Sequence, residues 1–225
     1  MPPLPRSTRR ELLDSDDIAP AELHRNLREM AMLNRLSGGV GDSVRAVARL
    51  LDGDGALPVL DVGAGFGDFA RSLVRHRSVR VVLADARRDV LEIARHGTRG
   101  SRGLDFVEAD ARALPFPDAA LSVAHASLLV HHLDPPDVTR ALGEMARVAT
   151  RGVVINDLRR SHVALAMTTL PILALSRSPV TRHDGVLSAR RAYTLPELDD
   201  LAAEAGLRPV ARTVSWWPRV TTTYR

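Results

Sequence analysis

The sequence predicts a single α/β domain built on a mostly parallel, seven-stranded sheet with helices on both faces. Apolar runs of strand length alternate with helical patterns from residue 58 onward. Continuous apolar strands that are bridged by helices are typical of parallel sheets covered on both faces. The length of 225 residues fits one such domain with small additions.

The elements of this domain follow one another in a regular order. Five strands are predicted in the central part of the chain, at residues 58–62, 80–84, 104–109, 120–126 and 152–157. Helices are predicted to about residue 75, over 88–96 and to about residue 148. A last helix opens at Thr194, because Pro196 lies in its first turn and Glu197 stands three residues after the cap. "LRPVARTVSW" and "RVTTTYR" then predict two final strands, arranged as a hairpin.

Three segments lie outside this alternation. Residues 1–17 are polar and contain proline, so we expect a poorly ordered tail before a single domain of residues 18–225. Apolar residues at three-to-four spacing predict N-terminal helices over 18–52, broken at "SGG". Residues 158–193 interrupt the alternation, and their apolar stretch "VALAMTTLPILAL" is interpreted as an insertion that caps a substrate pocket.

The composition excludes several classes of function. The absence of cysteine excludes disulfides and thiolate metal sites, and we expect a cytoplasmic protein. The longest apolar run is interrupted by Pro171 and is shorter than the roughly 20 residues that a membrane span needs. The net charge of +4 comes from arginines scattered among acidic residues, so we expect no nucleic-acid partner.

The stretch "LDVGAGFGD", residues 60–68, places three glycines directly after the first strand. Ligands of open parallel sheets bind beyond the carboxyl ends of the strands, where such a turn presents free N–H groups. A dinucleotide fingerprint needs a third glycine where this chain has Asp68, and the Asp61 carboxylate would repel a pyrophosphate. The pattern therefore favours a cationic ligand over the cofactor of a NAD-dependent oxidoreductase.

The pattern D-x-G-x-G-x-G resembles the first motif of the class I S-adenosylmethionine-dependent methyltransferases. The likeness extends over about residues 55–157, where "VVLADA", "FVEADARALPFPDAALSVAHASLLVHHL" and "EMARVATRGVVINDL" resemble later motifs of the branch that includes quinone-biosynthesis enzymes. The usual Pro-Gly turn of that branch is here Arg151-Gly152. The resemblance implies a Rossmann-like fold, S-adenosylmethionine as the cofactor and S-adenosylhomocysteine as its product.

The resemblance also implies the residues that hold the cofactor. Asp85 would accept both ribose hydroxyls, and Asp110 would receive the adenine amino group beside the Ala111 N–H. Taken singly, Asp85 could be only a helix cap and Asp110 only a turn residue, but their order along the chain favours the cofactor roles. The other implied cofactor-binding residues are Asp61, Gly63, Ala64, Gly65, Gly67, Ala86 and Ser127.

Candidate catalytic residues follow the fourth and fifth strands. Methyl transfer to a phenol, with a pKa of about 10, benefits from a neighbouring base. His131 and His132 are the candidate bases, with a purely structural role as the alternative, and Asp157 could orient or deprotonate a substrate. His162 and His183 in the insertion are weaker candidates. The spacing of histidines and acids matches no metal motif, so the sequence predicts a metal-independent enzyme.

These observations predict a methyltransferase of a small lipophilic or aromatic acceptor. O-methylation of a phenolic or polyketide-type secondary metabolite by direct SN2 transfer is favoured, and a homodimer is possible. C-methylation of a quinone or phenol ring and a non-catalytic cofactor-binding partner are the alternatives. RNA or protein methylation is disfavoured because "LDPPD" has no aromatic residue after its prolines.

Overall fold

A seven-stranded sheet organises the computed structural model, which describes residues 4–15, 18–51, 57–215 and 217–225. Its strands are β1 (Val59–Val62), β2 (Val81–Asp85), β3 (Leu104–Glu108), β4 (Leu121–Ser127), β5 (Ala149–Leu158), β6 (Pro209–Val214) and β7 (Arg219–Tyr224). The order across the sheet is β3-β2-β1-β4-β5-β7-β6, and β7 runs antiparallel to both of its neighbours. The predicted fold class and the C-terminal hairpin are therefore confirmed.

Helices cover both faces of this sheet. Their bounds are α1 (Pro20–Leu36), α2 (Gly39–Leu50), α3 (Asp68–His76), α4 (Arg88–Gly97), α5 (Pro135–Val148), α6 (His162–Leu175), α7 (Pro179–Arg191) and α8 (Leu195–Glu204). Short 3-10 turns lie at Leu12–Asp14 and Val130–His132. The predicted start of α8 is correct, since Thr194 and Glu197 form a reciprocal capping box.

Two apolar cores lie on opposite faces of the sheet, because successive side chains of a strand alternate between faces. On one face, Leu60 and Ile155 pack with Leu142 of α5. On the other face, Val59 packs with Phe69 of α3. The central strands are buried on both faces, which explains their continuous apolar sequences and leaves their carboxyl ends as the edge open to a ligand.

Residues 4–15 differ from the expectation of a poorly ordered tail. Arg160 donates to the carbonyl of Leu4 at 2.7 Å, and Arg6 donates to the carbonyl of Arg191 at 2.7 Å. The Glu11 side chain is buried. Contacts with distant arginines therefore hold this polar segment on the domain, and local sequence does not reveal them. Residues 1–3, 16 and 17 lie outside the described residues.

The segment 158–193 is a pair of helices, α6 and α7, whose first turns are capped by Ser161 and Ser178. α7 packs against α1 and the Leu12–Asp14 turn, whereas α6 leaves Val163 and Leu170 exposed. Among the described helices, none combines the length and the apolar character needed to cross a bilayer.

Candidate active site

One cavity of about 500 Å³ opens at the carboxyl ends of β1, β2 and β4. This volume is within the range of ligand-binding pockets, about 300–1,000 Å³. The turn after β1 lines the part that we call the first end, and the turn after β4, which holds His131 and His132, lines the part that we call the other end. The cavity therefore brings together two parts of the chain that the sequence analysis identified separately.

The glycine turn gives the first end of the cavity its open backbone. Gly63 and Gly65 have φ values of +67° and +51°, which favour glycine over other residues. A Cβ added at Gly63 would lie 2.9 Å from Leu129 Cδ1, so this position is also sterically closed to a side chain. The nearest atom to a Cβ added at Gly65 lies 4.0 Å away, so a ligand can approach this backbone closely.

Asp85 ends β2 and lines the cavity beside Ala86. Its carboxylate accepts hydrogen bonds from the N–H of Arg87 at 3.1 Å and from that of Gly65 at 3.4 Å. Burial raises the pKa of Asp85, although both N–H donors oppose the shift. A carboxylate has about four acceptor sites, so Asp85 can still accept hydroxyl groups of a ligand.

Asp61 is a buried residue of β1 that lines the cavity. His125 lies 2.8 Å from Asp61 Oδ1 through Nδ1 and 2.9 Å from Ser43 Oγ through Nε2. The imidazole stacks on Phe69 with 3.7 Å between ring centroids. Burial raises the pKa of Asp61, with His125 opposing. Sequence reasoning missed His125, since its place within an apolar strand signals only burial.

The remaining cofactor-binding candidates divide into two groups. Ala64 and Ser127 line the cavity, whereas Gly67, Asp110 and Ala111 do not. Arg112 holds Asp110 through a bond of 2.9 Å from Nε to Oδ1 and lowers the pKa of this carboxyl. Arg112 itself lines the cavity. A role of Asp110 at the adenine therefore stays a prediction, and Arg112 is a residue that the sequence analysis missed.

His131 and Asp157 form a buried pair at the other end. His131 Nδ1 donates to Asp157 Oδ1 at 2.6 Å, because an ionised carboxylate only accepts. Asp157 also accepts from the N–H of Leu158 at 2.7 Å. Burial opposes its ionisation, but His131, the N–H of Leu158 and Arg219 together outweigh burial and lower the pKa of Asp157. This arrangement leaves the lone pair of His131 on Nε2. Asp157 does not line the cavity and orients the ring through its Nδ1 side.

His132 contacts two acids of the N-terminal segment. Its Nδ1 lies 2.9 Å from Asp14 Oδ1, and its Nε2 lies 3.7 Å from Glu11 Oε2. Burial disfavours the imidazolium, but Glu11 and Asp14 outweigh it and raise the pKa of His132 to about 9. Both acids line the cavity. Neither acid could be recognised from the sequence, because the segment around them carries no recognisable motif.

The cap of the cavity also differs from the sequence interpretation. α7 contributes Asp184, Gly185 and Ser188 to the lining, while α6, which contains "VALAMTTLPILAL", contributes no residue. The apolar stretch therefore does not line the cavity as the expected lid would, and α7 supplies this part of the lining instead. His162 and His183 do not line the cavity either, and His183 contacts Asp184 at 2.8 Å.

Comparisons with known proteins bear on this site. Residues 59–152 match the family model described as a methyltransferase domain. A demethylmenaquinone methyltransferase of Thermus thermophilus is 40% identical over 97 residues, which cover 42% of this chain and 43% of that protein. Residues 59–152 therefore carry a methyltransferase domain. A malonyl-acyl-carrier-protein O-methyltransferase of Pectobacterium atrosepticum is 31% identical over 125 residues, 56% of this chain and 45% of that protein. The match thus spans less than half the length of these two relatives.

Solved structures show that the fold of the methyltransferase domain extends over most of the chain. A methyltransferase from Aquifex aeolicus has a TM-score of 0.66 at 16% identity, covering 92% of this chain and 98% of that one. Human N-acetylserotonin methyltransferase, solved in complex with S-adenosylmethionine, has a TM-score of 0.66 at 15% identity, covering 92% and 56%.

Proposed function

We propose that this chain transfers a methyl group from S-adenosylmethionine to a hydroxyl of a small aromatic or lipophilic acceptor. The observation that carries the proposal is the single cavity that joins the glycine turn to His131 and His132. Methyl transfer requires the two reactants to lie in line and in contact, and one cavity can hold both.

The residues of the glycine turn fit the cofactor. The open backbone at Gly65 admits a ligand without a clash, and Asp85 next to it offers carboxylate oxygens to the ribose hydroxyls. Asp61 places a buried negative group near the cationic part of the ligand. S-adenosylmethionine supplies an activated methyl group, so the protein needs mainly to position the acceptor and to ease loss of its proton.

The opposite end fits an acceptor that is apolar but carries a hydroxyl group. Leu27 and Met30 of α1 form an apolar wall, and Met30 can adapt to the shape of the ligand. Asn26 also lines the cavity, and its buried Oδ1 accepts no hydrogen bond from a described residue. The hydroxyl would meet His131, whose Nε2 lone pair can accept its proton while Asp157 orients the ring.

C-methylation of a quinone or phenol ring is the second candidate function. It is supported by the name of the Thermus relative, a demethylmenaquinone methyltransferase. The O-methyltransferase of Pectobacterium supports methylation at oxygen. The matched regions cover less than half of each relative, so the names of these relatives do not decide between the two acceptors. The experiment below decides between them.

The test is to incubate the full chain with S-adenosylmethionine and a panel of phenolic, polyketide-type and quinol acceptors. We expect formation of S-adenosylhomocysteine together with an acceptor that has gained one methylene in mass. Loss of a phenolic proton in the NMR spectrum identifies O-methylation, and loss of a ring proton identifies C-methylation. If the chain binds the cofactor but methylates no acceptor, a non-catalytic cofactor-binding partner replaces the proposal.

We also propose a cytoplasmic location and a homodimer. The absence of cysteine supports the location, and apolar side chains exposed on α6, including Val163, Leu170 and Leu173, support self-association. Sedimentation of wild type and Leu170→Glu tests the dimer, which the charge should dissociate.

A further inference from the structure

Glu11, His131 and His132 meet at the acceptor end of the cavity in an arrangement that hydrogen bonding does not explain. Each imidazole is held from behind by a carboxylate on Nδ1, His131 by Asp157 at 2.6 Å and His132 by Asp14 at 2.9 Å. The two Nε2 atoms then lie 3.8 and 3.7 Å from the carboxylate oxygens of Glu11. These distances are too long for hydrogen bonds.

The Glu11 carboxylate is buried with one oxygen unpartnered. The residue is 4% exposed, and Ser188 Oγ donates to its Oε2 at 2.9 Å. Oε1 accepts no hydrogen bond from any described residue. A buried charged acceptor without a partner costs free energy, so such an atom indicates a missing cation or donor.

We propose that Glu11, His131 and His132 bind a divalent first-row transition metal ion of the zinc or iron(II) type. Two imidazoles and one carboxylate suit these ions. The three ligand atoms lie within 4.8 Å of one another, which leaves room for an ion about 2.0–2.2 Å from each. Asp157 and Asp14 supply the carboxylate partners that metal-binding histidines usually have on their other ring nitrogen.

The charges around the cluster favour a divalent cation. Three carboxylates, those of Glu11, Asp14 and Asp157, contact or face the two imidazoles. The guanidinium of Arg191 lies near Glu11, with its Nε 3.9 Å from Oε1. Arg191 directs its hydrogen bonds instead to the carbonyls of His131 and His132, at 2.9 and 2.7 Å.

The metal site deepens the proposed function and, in its role toward the acceptor, rests on it. All three ligands line the cavity, so the coordination positions of the ion that no protein atom occupies would face the acceptor. A hydroxyl oxygen bound there becomes more acidic, as metal-bound water does, and releases its proton to solvent. The histidines would then act through the ion and not as free bases. Because Glu11 lies in the N-terminal segment, the ion would also link this segment to the turn after β4.

The test is a titration of the full chain with Co²⁺ after dialysis against a chelator, followed by absorption in the visible range. The chain has no cysteine, so thiolate bands cannot obscure the spectrum. We expect one Co²⁺ per chain, with a visible spectrum that saturates and is displaced by Zn²⁺. A folded protein that shows no saturable spectrum would overturn the proposal.

Three variants locate the site. Glu11→Gln and His132→Ala should weaken Co²⁺ binding by more than about 100-fold, and Asp157→Asn by about 10- to 100-fold. His96→Ala, which removes a surface histidine bonded to its own helix, should bind like wild type. Calorimetric binding of S-adenosylmethionine shows that each variant is folded. Equal Co²⁺ affinity in wild type and Glu11→Gln would contradict the assignment.

The outcomes separate this inference from the proposed function. Co²⁺ binding is measured with neither cofactor nor acceptor present, and methylation by chelator-treated protein is measured without metal. Methylation without any site-specific Co²⁺ binding would refute the metal site alone. Site-specific Co²⁺ binding in a protein that methylates no acceptor would refute the proposed function alone.

Discussion

The two ends of the cavity differ in how they are encoded in the sequence. The cofactor end comes from neighbouring residues, because the turn of Gly63 and Gly65 follows β1 directly and Asp85 ends the adjacent strand. The acceptor end combines Glu11 of the N-terminal segment, His131 after β4 and Ser188 of α7. A local motif therefore suffices to predict a cofactor site, whereas the proposed acceptor site is assembled from distant segments and emerges only from the fold.

The first prediction separates the two ends through catalysis. His131→Ala should reduce kcat/KM for the acceptor by about 100- to 10,000-fold, because the group that acts on the acceptor hydroxyl is lost. Affinity for S-adenosylmethionine, measured by calorimetry, should stay at the wild-type value. Asp157→Asn should lower kcat/KM in the same direction, since His131 loses the partner that fixes its tautomer. Wild-type turnover in His131→Ala would contradict the assignment of His131 to the acceptor end.

The second prediction concerns stability of the acceptor end. Arg191 is buried and donates to the carbonyls of Arg9, His131 and His132. Arg191→Met should lower the free energy of unfolding by about 3 kcal/mol, because buried carbonyls lose their donors. Denaturation in urea measures the change. The exposed Arg75→Met should stay within about 0.5 kcal/mol of wild type, and an equal effect of both would contradict this role.

The third prediction tests whether Asp110 belongs to the cofactor end. Asp110→Asn should weaken S-adenosylmethionine binding by only about fivefold, the loss of roughly one hydrogen bond of about 1 kcal/mol. The reason is that Arg112 already occupies this half-exposed carboxylate. Calorimetric titration gives the affinity, and Asp105→Asn on the surface is the control. A loss as large as that of Asp85→Ala would place Asp110 inside the site.

The smallest expected effect concerns the helix that the sequence suggested as a lid. Leu170 of α6 is 68% exposed and does not line the cavity. Leu170→Glu should therefore leave the kinetic constants for the acceptor unchanged, whereas Met30→Glu in the cavity wall should raise KM. The measurement is kcat and KM for the acceptor in both variants under the same conditions. A raised KM in Leu170→Glu would restore the lid.

Sequence reasoning recovered what depends on periodicity and local spacing. Apolar runs and caps gave the strands and the start of α8 at Thr194, because burial and capping are read from neighbouring residues. It missed Glu11 and Arg112, whose roles depend on contacts between distant segments. It also misplaced the lid: an apolar run indicates that a face avoids water, but not which surface will cover it.

The difference between the two ends depends most on Asp85 at the proposed cofactor end and on Glu11 at the proposed acceptor end. Calorimetric titration with S-adenosylmethionine of wild type, Asp85→Ala and Glu11→Gln tests it directly. We expect Asp85→Ala to bind about 100-fold more weakly, from two lost charge-assisted hydrogen bonds of about 1.5 kcal/mol each, and Glu11→Gln to bind like wild type. Failure of wild type to bind, or equal losses in both variants, would contradict the account.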